Sequence, residues 1–114
     1  MDSTHYQHIK YYLINQKVLE TWTTKEQQSI KRKSQYYILK NNLLYRYDKQ
    51  NQNNLLKVIQ QHEVELILFM MHNHPLGGHF RTEAMFNKIR NIYYWPQMYE
   101  YIRLYVQSCD NCQR

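Results

Sequence analysis

Between residues 5 and 20, apolar side chains recur at Tyr6, Ile9 and Leu13, spacings of three and four that predict a helix with one buried face. The pattern breaks near Thr21–Thr24. Thr23 with Glu26, or Thr24 with Gln27, fits a capping box, so a second helix is predicted from there to about Lys33. From Tyr36 the period shortens. Tyr36 to Leu39 and Leu43 to Tyr47 flank Asn41-Asn42, and asparagine tolerates the positive φ that tight hairpin turns require. Asp48 to Asn54 reads as a polar turn and Leu55 to Ile59 as a third strand. A three-stranded meander of this size is marginal alone, so it should pack on the helices.

The second half returns to a helical period. Glu63 to His72 places Val64, Leu68 and Met71 on one face, with His72 at its end. Thr82 with Glu83 can open another helix, lined by Met85, Ile89 and Ile92. Pro96 suits the first turn of a third, because its missing N–H would be unbonded there, and Met98, Ile102, Tyr105 and Val106 form its buried stripe. The predicted fold is mostly α with a small β-meander. A helical and three-stranded extension, residues 1–60, precedes a three-helix unit at 61–114.

Composition changes that picture in two ways. The 43% hydrophobic fraction includes twelve tyrosines with polar tips, so a bound metal would help so short a chain to hold its core. The charge of +6 is uneven: residues 1–57 carry ten Lys and Arg against four Asp and Glu, whereas residues 58–114 carry five of each. A basic balance favours polyanionic partners. Within it, Lys31-Arg32-Lys33 is either a solvated helix face or a phosphate contact. The longest apolar run, Leu66 to Met71, is too short for the roughly twenty residues of a membrane span. The first residues lack the basic and apolar regions of a secretory signal, which sets the expected location as nuclear or cytoplasmic.

The chemistry sits in four residues. Cys109 and Cys112 are the two cysteines of the chain, and their spacing lets one turn present both thiolates to one ion. In a reducing compartment such a pair favours metal over a disulfide. A redox reading would require a strand-to-helix context that this pattern lacks. Gly77 and Gly78 lie between His72 and His79, beside Pro75, a cluster suited to reversing the backbone so that two imidazoles converge. His74 with His79 is an alternative with a shorter gap, whereas His72 with His79 closes the helix. Two imidazoles and two thiolates saturate tetrahedral zinc and leave no position for a reacting water, so one structural Zn2+ is expected. His5, His8 and His62 read as surface residues. Trp95, beside Pro96, reads as core more readily than as a base-stacking platform.

At these residues the sequence resembles the zinc-binding N-terminal module of retroviral and gypsy-type LTR retrotransposon integrases. The text that carries the resemblance is His72-Asn73-His74-Pro75-Leu76-Gly77-Gly78-His79, then Tyr93-Tyr94-Trp95-Pro96-Gln97-Met98, then Tyr105-Val106-Gln107-Ser108-Cys109-Asp110-Asn111-Cys112-Gln113-Arg114. Residues 36–59 look like the extension that precedes the module. The resemblance implies zinc ligation by His72, His79, Cys109 and Cys112. The family often has a Gly two residues after its second histidine and a Lys-Thr pair beyond; here those places hold Arg81, Ala84 and Met85. Arg81, Lys88 and Arg90 are then the positions left to make those contacts.

In the family a catalytic domain follows, with three acidic residues that bind two metal ions, and strand transfer needs that constellation. This sequence stops two residues past Cys112. The expectation is therefore a non-catalytic module that supports DNA integration. Its implied partners are the element's DNA ends and other integrase subunits or copies of itself, with no membrane and no small-molecule substrate. The alternative is a domesticated or truncated retroelement-derived module for protein contact, without DNA binding.

Overall fold

A computed structural model describes residues 1–72 and 82–108. Five helices and four strands follow in the order α1 (Ser3–Asn15), α2 (Thr24–Ser34), β1 (Tyr37–Lys40), β2 (Leu43–Tyr47), β3 (Leu55–Val58), α3 (Gln61–His72), α4 (Thr82–Ile89), β4 (Tyr93–Tyr94) and α5 (Met98–Ser108).

The first helix starts where the Asp2 carboxylate accepts the His5 N–H at 3.2 Å. It ends well before residue 20, because Gln16 turns left-handed at φ 57° and closes the helix with an N–H to the Tyr12 carbonyl. Of the two capping boxes the sequence offers, Thr23 with Glu26 forms: each backbone N–H donates to the other's side chain, at 2.9 and 3.1 Å. The turn between β1 and β2 uses Asn41 and Asn42 at φ 53° and 64°, the paired left-handed geometry expected of that dipeptide. Tyr6 ties α1 to this hairpin, its buried hydroxyl accepting the Leu44 N–H at 3.0 Å.

The sheet departs from the three-stranded meander. It has four strands in the order β1-β2-β3-β4, the first two pairings antiparallel and the last parallel. Tyr93 and Tyr94 pair with Lys57 and Val58, and the Ile59 N–H donates to the Tyr94 carbonyl at 2.8 Å. The fold is thus mixed α/β rather than mostly α. A two-residue strand has no room to display a period of two, and its pairing comes from distant tertiary context.

Two hydrophobic clusters meet at β3. Tyr6, Ile9, Trp22, Ile30, Tyr37, Leu44 and Val58 belong to the first, and Tyr94 packs against both. Ile59, Val64, Leu68, Met85, Ile89, Trp95 and Ile102 belong to the second, to which α3, α4 and α5 all contribute. Val58 and Ile59 are neighbours in sequence, yet each is buried in a different cluster, as alternation across an extended backbone allows.

Three boundaries in this half differ from the sequence pattern. The first is the start of α3 at Gln61 rather than Glu63; on its inner face Val64 and Leu68 are buried, Met71 packs against the same cluster as expected, and His72 is buried beside them. The second is the end of α4 at Ile89, where the chain turns and Ile92 is left exposed. The third is α5, which begins at Met98 rather than at Pro96. Gln97, left-handed at φ 63°, lies between them, and its carbonyl accepts the first helical bond, from Tyr101.

Candidate metal centre and basic surface

His72 closes α3 and is only 1% exposed. Its placement follows from the helical period, which carries Val64 and Leu68 into the second cluster and brings residue 72 onto the same line. The Tyr105 ring meets the imidazole edge-on, with centroids 5.5 Å apart. Tyr105 lies in the last turn of α5, where its carbonyl accepts the Ser108 hydroxyl at 2.9 Å, and the residue after Ser108 is Cys109. The C-terminal ends of α3 and α5 therefore lie together. One carries an imidazole, and the other leads directly into Cys109-Asp110-Asn111-Cys112.

This arrangement fits a cation in two respects. Helix C-termini carry partial negative charge from unpaired carbonyls, which favours positive charge nearby. Neutral imidazole is also a common metal ligand, and burial favours the neutral form over the charged one. His79, Cys109, Cys112 and the alternative His74 lie outside the described residues, as does Arg81. Among the described residues no group of three His, Cys, Asp or Glu side chains could hold a metal.

The basic candidates separate. Lys31, Arg32 and Lys33 occupy the last turn of α2, where cations complement the helix dipole. Lys31 and Arg32 face solvent, whereas Lys33 is half-buried and lines a cleft of about 290 Å³ with His5, Tyr36, Tyr37, Arg46 and Tyr94. Lys88 is exposed on α4. Arg90 packs over the Phe86 ring and donates to the Gln50 side chain at 2.8 Å. It lines a second cleft, of about 240 Å³, together with Lys49, Arg46 and Tyr94.

Arg46, which the sequence pattern did not single out, joins the two clefts. Its guanidinium lies 4.3 Å from the Tyr94 ring centre, 5.5 Å from that of Tyr37 and 5.6 Å from that of Tyr36, and it donates to the Tyr37 hydroxyl at 3.3 Å. Burial pushes the Tyr37 phenol far above its ordinary range, and Tyr94 adds to the shift, so Tyr37 stays neutral beside the cation. No local run marks this arrangement, because the rings around Arg46 come from separate segments of the chain.

Among the described residues, no helix is long and apolar enough to cross a membrane. The profile of the integrase zinc binding domain matches residues 59–114. Over 109 residues, 96% of this chain, the sequence is 23% identical to gypsy retrotransposon integrase-like protein 1 of Homo sapiens and of Pongo abelii. Over 59 residues, 51% of this chain, it is 35% identical to the retrovirus-related Pol polyprotein from transposon 412 of Drosophila melanogaster. The chain spans 21% of the length of the two primate relatives and 5% of the Pol polyprotein.

Proposed function

Because residues 59–114 belong to the integrase zinc-binding domain family, we propose that this chain serves as the non-catalytic zinc module of a retrotransposon-type integrase. His72, His79, Cys109 and Cys112 would hold the metal, a donor set of two imidazoles and two thiolates that suits one structural Zn2+. The observation that supports this most is the burial of His72 against Tyr105, which brings the end of α3 to the end of α5. When bound, the metal supplies cross-linking rather than chemistry. His72 contributes a rigidly packed imidazole, and Tyr105 fixes the ring plane by edge contact. The apolar side chains of Val64 and Leu68 keep water from that end of the core.

In this reading residues 61–114 form the zinc module and residues 1–60 an extension that supplies basic surface. The role is support of DNA integration, through contact with element DNA ends and assembly with other integrase subunits, in the nucleus or cytoplasm. A second reading, a retroelement-derived module for protein contact without DNA binding, draws on α3. There Leu66 and Met70 are 61% and 55% exposed, an apolar face suited to another protein.

Native mass spectrometry with and without zinc tests both parts. One stoichiometric zinc per chain, lost in His72→Ala and in Cys109→Ser, is the expected result. A reduced, zinc-replete protein that carries no metal would overturn the zinc assignment. DNA affinity that falls steeply with salt favours the integration role, and a metal-loaded protein without such affinity favours the protein-contact role.

A further inference from the structure

Two clefts share Arg46 and Tyr94, and we propose that together they make one groove that binds single-stranded nucleic acid. This assignment rests on the DNA-contact reading given above and names the surface and the form of nucleic acid. Lys33 and His5 stand at one end, Arg46 in the middle, and Arg90 and Lys49 at the other. Among the described residues, none of Lys33, Arg46, Lys49 or Arg90 has a carboxylate within ion-pairing distance. No Asp or Glu lines the Lys33 cleft. Asp48 lines the other, but its oxygens already accept the Gln50 N–H and the Asn54 amide. Those donors hold Asp48 ionised beside Arg90, so four cations face one carboxylate and the groove stays net positive, most so at its Lys33 end.

Aromatic surface decides the class of polyanion. Tyr36, 47% exposed, stands at the rim with one face toward Arg46, and Tyr47 is exposed further along. Cations that follow a backbone, alternating with rings on which bases stack, are the two elements of sequence-tolerant single-strand binding. An acidic peptide would use the cations but has no use for the rings. A duplex presents a convex backbone and stacked bases, so it cannot fill a concave cleft or lay a base on Tyr36. Arg46 lies 4.3 Å from the Tyr94 ring centre and donates to the Tyr37 hydroxyl, so its guanidinium is positioned before a phosphate arrives.

The experiment uses the zinc-loaded full chain and fluorescence anisotropy with a labelled oligothymidylate, a duplex of equal length and poly-glutamate as competitor. Lys33→Gln with Arg46→Gln removes two groove cations, and Lys31→Gln with Arg32→Gln removes two from the outer face of α2. The groove pair should reduce the salt slope for single strands by about 1.4, roughly 0.7 for each lost phosphate contact, while the outer pair leaves it near wild type. Tyr36→Ala, a surface change that leaves the core intact, should weaken single-strand binding at least about fivefold and duplex binding little. Arg46→Lys checks folding, because it retains charge while losing the guanidinium contacts to Tyr94 and Tyr37; with an unchanged circular dichroism spectrum it should bind more weakly than wild type. Equal losses from the two double variants would overturn the groove while leaving the general DNA reading intact. Equal affinity for duplex, or competition by poly-glutamate as strong as by oligothymidylate, would overturn the single-strand assignment. A wild-type chain that binds no nucleic acid at low salt would sink both readings.

Discussion

Ile59→Ala tests whether the two clusters fold as one unit. Ile59 is 1% exposed in the second cluster, and its N–H donates to Tyr94 across the β3–β4 pairing. Removing three carbons costs about 2.4 kcal/mol at about 0.8 kcal/mol per buried methylene. With the cavity left behind, the loss comes to about 3–4 kcal/mol, inside the range of such truncations. At a urea dependence of about 1.5 kcal/mol per molar, the unfolding midpoint should fall by roughly 2–3 M. The protein carries its own reporters, because Trp22 belongs to the first cluster and Trp95 to the second. Urea titrations followed by fluorescence, with each tryptophan replaced in turn by phenylalanine, give one midpoint per cluster. Continuity of the sheet requires both midpoints to move together. If Trp95 reports the lowered midpoint while Trp22 keeps its own, the clusters are independent and the reasoning is refuted.

Three further outcomes are expected. Exhaustive chelation should remove helical circular dichroism contributed by α3 to α5, since metal binding at such sites is worth on the order of 10–16 kcal/mol in small peptides; unchanged helicity would contradict the structural role of zinc. Asn42→Val should lower stability by about 1–2 kcal/mol, because a β-branched residue resists the left-handed geometry at φ 64°, while Asn42→Gly should be nearly neutral; thermal melts separate the two. The His5 pKa is lowered by burial and then by Lys33, so the unfolded chain binds a proton more readily than the folded one. Its contribution is present in full above pH 6.5 and declines as pH falls below that value, so His5→Gln should flatten that part of the stability profile, as urea midpoints at successive pH values would reveal.

Local signals and distant ones were not equally legible. The capping residues of α2, the Asn-Asn hairpin and the helical stripes of α3, α4 and α5 were all readable, because each depends on residues within a turn or two of one another. The fourth strand was not, since Tyr93 and Tyr94 owe their pairing to Lys57 and Val58 on the far side of two helices. Arg46 was missed for a related reason. Its neighbours Tyr36, Tyr37 and Tyr94 come from β1, its flank and β4, and only the assembled sheet places their rings around one cation. The stripe of α3 was legible in Val64, Leu68 and Met71, which share a face at helical spacing, and the four-residue repeat from Val64 also points to His72. For His79, Cys109 and Cys112 the case rests on spacing and on the family of residues 59–114.

The parallel pairing of β3 with β4 also orders events during synthesis. The hairpin and β3 leave the ribosome first, and β3 then presents an unsatisfied backbone edge flanked by Leu56 and Val58 until Tyr93 and Tyr94 emerge. Nascent chains stalled before Tyr93 should therefore be sticky, and adding the short segment that ends at Tyr94 should cure them. Two residues act as a seal.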